Sequence, residues 1–188
     1  MTTAIQSSPT TLLTADEFMR LGDGLRGELI RGVFCEMSQP GPRHGQIAMR
    51  LGSQLFSYVE ALRIGTVFGE FGVLLERDPD TVRAPDAAYI SYDRLPKGGV
   101  TDRYGEIVPE LVVEVVSPSD RRSEVYDKSR MWLHSGAQLV WAVFPASRTV
   151  EVHRAGDEAV ETLSEADSLD GTPVLAGFSY PLSRLFAD

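Results

Sequence analysis

The chain contains few of the residues from which thiol and zinc sites are built. Among its 188 residues there is one cysteine, Cys35, so an internal disulfide and a cysteine-based zinc cluster are excluded. Cys35 fits a small apolar position in a strand better than a nucleophile. The three histidines include no pair at metal-ligand spacing, so zinc is not expected. His134 and His153 are predicted to lie on the surface.

Long apolar runs are also missing. No stretch approaches the roughly 18 apolar residues of a membrane span, and the first residues lack the basic and apolar regions of a secretion signal. We therefore predict a cytoplasmic protein that neither crosses nor enters a membrane. Residues 1–10 are predicted to be a disordered leader, and residues 11–188 a single domain. A hydrophobic content of 43% is enough for a sizeable core.

Positive charge is scarce, because the formal net charge is -9. Proteins that bind nucleic acid tightly usually carry a basic surface that displaces counterions from the phosphates. The overall charge therefore argues against tight binding to DNA. It does not exclude DNA as a partner, because the arginines can gather on one face while the acids of residues 157–170 lie elsewhere.

The most informative segment runs from Pro109 to Asp120. Five of the six residues from Leu111 to Val116 are aliphatic, which predicts a central strand that is buried on both faces. The sixth residue is Glu114. A carboxylate in apolar surroundings costs several kcal/mol or changes its protonation state, so Glu114 needs a metal, a cation or hydrogen-bond donors beside it.

The remaining chain predicts alternating helices and strands. Thr14 and Glu17 form a capping box for a first helix, and Arg31-Gly32 marks the turn of a hairpin over residues 28–37. Further helices are predicted over residues 46–63, 120–135 and 183–186. Further strands are predicted over residues 66–76 (one bent strand), 87–91, 138–144, 149–154 and 159–163. A long loop is expected over residues 94–108.

Two acids on neighbouring strands suit a divalent cation. Asp86 stands at the start of one apolar strand, and Glu114 lies inside the next. Mg²⁺ is held by a few carboxylates, backbone carbonyls and waters, so Asp86, Glu114 and the carbonyl of Val115 are predicted to form its first shell. Helical spacing places Lys128 on the face that packs against the sheet, from which its ammonium can reach the acids. A metal that lowers the pKa of bound water would make this a site for phosphodiester hydrolysis.

Several segments, taken together and in order, resemble the PD-(D/E)xK nuclease superfamily and, within it, the bacterial Uma-type family of restriction-endonuclease-like proteins. The segments are residues 26–32, 40–45, 84–89, 109–120 and 139–141. The resemblance extends from about Thr14 to Phe186. It implies an α/β (α+β) fold with a mixed sheet flanked by helices and additional β-hairpins. It also implies that Asp86 and Glu114 are metal ligands and that Glu28 is a further catalytic acid.

The chain departs from the superfamily pattern at the lysine. The motif lysine stands two residues after the acid, and that position is occupied by Val116. Lys128 on the following helix is the candidate to replace it, a migration that members of the superfamily show. The catalytic set predicted from the sequence is therefore Asp86, Glu114, Lys128 and Glu28.

Each of these residues also has a structural interpretation. Glu114 can belong to a buried salt bridge, Asp86 can be ordinary turn chemistry, and Lys128 can extend to solvent. Glu28 can pair with an arginine of its own hairpin, Arg26 or Arg31. Arg43 and His44 can bind a substrate phosphate or cap a loop, and Ser117 to Asp120 is better explained as a helix N-cap than as a nucleophile.

The sequence thus predicts a Mg²⁺-dependent (or Mn²⁺-dependent) endonuclease that hydrolyses DNA phosphodiester bonds and forms a homodimer, as two-fold assemblies commonly do. One alternative is a catalytically inactive member of the same fold that acts as a homo-oligomeric interaction module. Another is a metal-dependent hydrolase of a different phosphate ester. The first and second hypotheses differ in the role they give to Asp86, Glu114 and Lys128. These residues form a catalytic metal site in the first hypothesis and a buried ion-pair network in the second.

Overall fold

A computed structural model describes residues 12–21, 26–95 and 99–187. The predicted leader, residues 1–10, lies outside the described residues. The helices are α1 (Ala15–Arg20), α2 (Pro42–Leu62), α3 (Arg122–Ser135) and α4 (Leu182–Leu185). The strands are β1 (Gly27–Ile30), β2 (Val33–Glu36), β3 (Gly65–Phe68), β4 (Val73–Glu76), β5 (Thr81–Arg83), β6 (Ala87–Ser91), β7 (Leu111–Val115), β8 (Leu139–Phe144), β9 (Thr149–Arg154), β10 (Glu161–Leu163), β11 (Ser168–Asp170) and β12 (Ser179–Pro181).

The largest sheet has six strands in the order β10-β9-β8-β7-β6-β3. Strands β7 and β8 are parallel, and every other neighbouring pair in this sheet is antiparallel. All five residues of β7 are buried, in agreement with its aliphatic sequence, so the predicted central strand is confirmed. The parallel pair is connected through α3, which is the usual way to join two parallel strands.

Alternation along β7 divides its side chains between the two faces of the sheet. Leu111, Val113 and Val115 belong to the main core, which also contains Ile47, Leu51, Leu55 and Val59 of α2. Val112 belongs to a second core with Trp132 of α3. Glu114 points to the same side as Val112, so its carboxylate lies beneath α3.

Helix α2 begins at Pro42, four residues before the predicted start at Gln46. Proline fits the first helical position because its backbone nitrogen has no hydrogen to satisfy and its φ is already helical. The earlier start places Arg43 and His44 in the first turn of α2 and not in a loop. The helix ends at Leu62, close to the predicted end, and its C-cap Arg63 adopts a left-handed conformation with φ 55°.

A second sheet carries four strands in the order β2-β1-β5-β4. Strands β1 and β2 form the predicted hairpin, in which Glu28 pairs with Cys35. Its two turn residues, Arg31 and Gly32, both have positive φ, at 49° and 77°. This is the backbone geometry of the tight turns that match the twist of a hairpin.

The prediction of one bent strand over residues 66–76 is wrong. Strand β3 pairs with β6 in the six-stranded sheet, whereas β4 pairs with β5 in the second sheet. Residues 69–72 carry the chain from one sheet to the other. Gly72 passes so close to Tyr104 that a Cβ atom would lie 2.3 Å from its ring, which explains the glycine there. The sequence pattern does not predict strand β5, which is three residues long.

Two further predictions are corrected. Ser117 to Asp120 do not cap α3, whose N-cap is Arg121; the Asp120 carboxylate instead accepts a hydrogen bond from the Ser117 N–H at 2.8 Å. His153 is not a surface residue, because β9 lies inside the sheet and leaves this side chain 2% exposed. The first capping box, β6, β8, the β9–β10 hairpin and the final helical turn are confirmed.

Candidate active site

The Glu114 carboxylate is held by two donors from one face of α3. Lys128 Nζ lies 2.9 Å from Oε2, and Trp132 Nε1 lies 2.7 Å from Oε1. Residues four apart on a helix are neighbours on its surface, so both donors reach the same carboxylate. The sequence indicates that Glu114 needs a partner, and the structure supplies two: the Lys128 ammonium and the Trp132 indole N–H.

Lys128 also contacts Glu28, which comes from the second sheet. Lys128 Nζ lies 3.0 Å from Glu28 Oε1, and the guanidinium of Arg83 lies 2.6 Å from the other oxygen. The N–H of Ala84 donates to Glu28 as well, at 3.3 Å. One ammonium therefore joins the hairpin of the second sheet to the central strand of the first.

Asp86 lies immediately before β6, at the edge of the β6–β7 ladder. Its N–H donates to the Val113 carbonyl at 3.0 Å, and its carboxylate accepts a hydrogen bond from the Val115 N–H at 2.6 Å. The side chain thus extends the ladder by one hydrogen bond. This arrangement brings Asp86 against the same end of β7 that carries Glu114.

His44 approaches Asp86 from the first turn of α2. Its Nε2 lies 3.4 Å from Asp86 Oδ1. The hydrogen bond to Asp86 raises the pKa of His44 above its usual range, although partial burial acts in the opposite direction. Arg43 lies elsewhere: its guanidinium donates to the carbonyl of Phe186 at 2.7 Å.

Part of this cluster lines a cleft of about 250 Å³. The predicted site residues on its wall are His44, Asp86, Glu114, Val115 and Lys128. The other charged residues on the wall are Arg26, Glu36, Glu70 and Asp120. The carboxylates outnumber the cations, so the cleft favours a cation over an unaccompanied anion.

The protonation of the central pair is set by burial and by neighbouring charges. Burial raises the pKa of Glu114 to about 7, against the attraction of Lys128 and with further increases from Asp86 and Glu28. Burial alone would lower the pKa of Lys128, but the nearby Glu114 and Glu28 carboxylates outweigh it and raise that pKa above its usual value. Lys128 is therefore a permanent cation in this site.

The structure brings most of the predicted residues together. Lys128 does not extend to solvent, because its side chain is 17% exposed and contacts two acids. Glu28 does not pair with Arg26 or Arg31; its partners are Lys128 and Arg83, while Arg26 pairs with Glu70. The catalytic and ligand roles assigned to these residues remain predictions.

Two residues of the site are not predicted from the sequence. Helical spacing puts either Met131 or Trp132 on the same stripe as Lys128, but it does not show that the Trp132 N–H donates to Glu114. A buried indole that needs a partner was the available signal. Arg83 gave no signal, because it ends a three-residue strand that was not predicted and reaches Glu28 only through the pairing of β1 with β5.

The donors at the cleft suit a hard cation. Two carboxylates and a backbone carbonyl are oxygen ligands of the kind that Mg²⁺ and Mn²⁺ accept. Within residues 12–21, 26–95 and 99–187, no group of three or more histidine, cysteine or acidic side chains is arranged to hold a metal. Water and substrate oxygens would therefore have to complete the shell, which is common for Mg²⁺ because it keeps several waters.

A mixed sheet flanked by helices, with acids and a lysine gathered at the end of its central strand, is the restriction-endonuclease-like arrangement that the sequence resemblance implied. The Uma2 family model, described as "Putative restriction endonuclease", matches residues 15–183. The chain therefore belongs to the Uma2 family. No match is found among curated protein sequences.

A solved structure supports the same fold. A crystal structure of "a putative nuclease belonging to DUF820" from Anabaena variabilis matches with a TM-score of 0.80 and 27% sequence identity. The match covers 93% of this chain and 97% of that one. In the part of the chain that the structure describes, none of the helices is long and apolar enough to cross a membrane.

Proposed function

We propose that this protein is a Mg²⁺-dependent or Mn²⁺-dependent endonuclease that hydrolyses DNA phosphodiester bonds in the cytoplasm as a homodimer. The observation that carries the proposal is the position of Lys128, whose Nζ joins Glu114 and Glu28 at a cleft that also holds Asp86. A buried lysine beside several carboxylates is an arrangement that perturbs proton affinities, as functional sites commonly do.

Asp86, Glu114 and the carbonyl of Val115 would hold the metal. When bound, it would act as a Lewis acid and lower the pKa of a coordinated water. Lys128 supplies a permanent positive charge where negative charge develops on the phosphate during attack. Glu28 and Glu114 keep that ammonium in place through their 3.0 Å and 2.9 Å contacts.

His44 is the proposed contact to the substrate phosphate. It lies on the cleft wall, in the first turn of a helix, where backbone N–H groups and the helix dipole also favour an anion. For Arg43 we propose the same function only from its place in that turn. Its hydrogen bond to the Phe186 carbonyl competes with this function.

Nicking of plasmid DNA tests the proposal. Purified protein should convert supercoiled plasmid to the nicked form with Mg²⁺ or Mn²⁺, and Asp86→Asn or Glu114→Gln should reduce the rate at least 100-fold. Glu70→Gln is the matched control, since this acid also lines the cleft but pairs with Arg26. It should retain activity close to that of the unmodified protein. The proposal would be refuted if supercoiled, linear and single-stranded DNA all remained uncut and the protein showed no saturable metal binding.

The rival is an inactive member of the fold that serves as a homo-oligomeric interaction module. It is favoured by the contacts themselves, because all the oxygens of Glu28, Glu114 and Asp86 already have partners. Such an internally neutralised network needs no ion. Calorimetric titration with Mn²⁺ separates the two: the endonuclease should show a saturable site that Asp86→Asn removes, and the interaction module should show none.

A further inference from the structure

Trp132 is the least expected partner of Glu114. It follows Lys128 by one helical turn, its side chain is fully buried, and its indole N–H donates to Glu114 Oε1 at 2.7 Å. A buried indole N–H does not find such a partner everywhere in the described residues. Trp141 on β8 is equally buried, and its indole nitrogen has no hydrogen-bond partner among the described residues.

The indole N–H restricts a torsion that is otherwise loose. The terminal torsion of a glutamate is broad, so a carboxylate held through one oxygen can still rotate. Lys128 holds Oε2 of Glu114, but an ammonium can donate from many directions. The indole N–H has one fixed direction, and the surrounding core holds the ring that carries it. Together the two donors determine the plane of the Glu114 carboxylate.

We propose that Trp132 is a positioning residue that orients the Glu114 carboxylate so that its remaining lone pairs face the divalent cation in the cleft. This proposal rests on the metal-dependent function proposed above. Groups that hydrogen-bond a metal ligand commonly change metal affinity by 10-fold to 100-fold when they are removed. Loss of the indole N–H should therefore weaken cation binding without removing any ligand.

Two substitutions separate the N–H from the bulk of the ring. Trp132→Phe keeps most of the apolar volume and loses the donor. Trp132→His keeps a ring N–H at nearly the same distance from the backbone but loses apolar volume. Trp141→Phe is the matched control, because it truncates a buried tryptophan whose N–H has no partner. Mn²⁺ affinity is measured from the electron paramagnetic resonance signal of the free ion, and stability from urea unfolding.

The proposal predicts that Trp132→Phe and Trp132→His rank in opposite orders for stability and for Mn²⁺ affinity. Trp132→Phe should be the more stable variant yet bind Mn²⁺ about 10-fold more weakly than the unmodified protein. Trp132→His should be less stable and bind within about 3-fold of it, and Trp141→Phe should bind normally. Displacement of Mn²⁺ by Mg²⁺ should follow the same order, which shows that the new imidazole is not itself a ligand.

Three outcomes overturn the proposal. If Mn²⁺ affinity and stability rank Trp132→Phe and Trp132→His in the same order, Trp132 acts only through packing. If Trp132→Phe binds Mn²⁺ as tightly as the unmodified protein, the N–H does not position Glu114. If the unmodified protein has no saturable Mn²⁺ site, this inference and the proposed function fail together. Should Trp132→His not fold, the comparison of Trp132→Phe with Trp141→Phe decides.

Discussion

At the scale of single residues, the central feature is one ammonium between two buried carboxylates. Lys128 contacts Glu28 and Glu114 at 3.0 Å and 2.9 Å, and the two acids are 6% and 8% exposed. Charges removed from water to this extent are stable only when they are paired. Lys128 therefore has a structural part in the fold as well as the chemical part that we propose.

Replacing Lys128 by methionine should destabilise the protein. The apolar side chain fills a similar volume but leaves two buried carboxylates without their shared cation, which typically costs about 3–5 kcal/mol of unfolding free energy. Urea unfolding measures the loss. Arg77→Met is the control, because its ion pair with Glu106 is 64% and 71% exposed, and it should cost less than about 1 kcal/mol. Equal small losses for both variants would contradict the prediction.

The sequence predicts a site residue when the position of that residue depends only on its neighbours along the chain. A carboxylate in an aliphatic strand demands a partner, and helical spacing places Lys128 on the sheet side of α3, so both could be predicted. Arg83 and the burial of His153 could not, because they depend on which strands become neighbours. Strand order is decided by contacts between distant parts of the chain.

At the scale of elements, the β1–β2 hairpin brings Glu28 to the site. Its turn was predictable because Arg31-Gly32 interrupts two short apolar segments. The separation of β3 from β4 was not, because residues 66–76 continue one strand-like pattern and only the partners β6 and β5 distinguish the sheets. Local patterns therefore indicate that a strand forms, but not which sheet receives it.

Two glycines offer opposite predictions for alanine substitution. Gly32 has φ +77°, and a Cβ there would lie 2.6 Å from Leu12, so Gly32→Ala should lower the free energy of unfolding by about 1–2 kcal/mol. Gly45 lies in α2 with nothing within 4 Å of a Cβ, so Gly45→Ala should raise it by about 0.5–1 kcal/mol. Thermal unfolding of both variants measures the sign, and a gain at Gly32 would refute the turn assignment.

At the scale of the whole molecule, the last described residues are hydrogen-bonded to α2. Arg43 donates to the Phe186 carbonyl, and Arg50 donates to the Leu185 carbonyl at 3.1 Å. Leu182, Leu185 and Phe186 are fully buried in the main core. The final helical turn thus completes the core beneath the helix that carries His44.

Phe186→Ala should therefore cost about 3–5 kcal/mol, the usual range for truncating a buried phenylalanine. Phe56→Ala is the matched control on α2, because that ring is 46% exposed, and its effect should stay within about 0.5 kcal/mol. Urea unfolding of the two variants gives the comparison. Similar effects at the two positions would show that α4 and its C-cap Phe186 are not part of the cooperative core.

The arrangement of Glu114, Lys128 and Trp132 has a consequence for inheritance. Only 18 positions separate Glu114 from Trp132, and β7, α3 and the parallel strand β8 follow one another without interruption. The carboxylate, its cation and its indole donor are therefore encoded by one short stretch of gene. An exchange of that stretch alone between relatives would transfer these three residues together and would leave Glu28, His44 and Asp86, which lie upstream, unchanged.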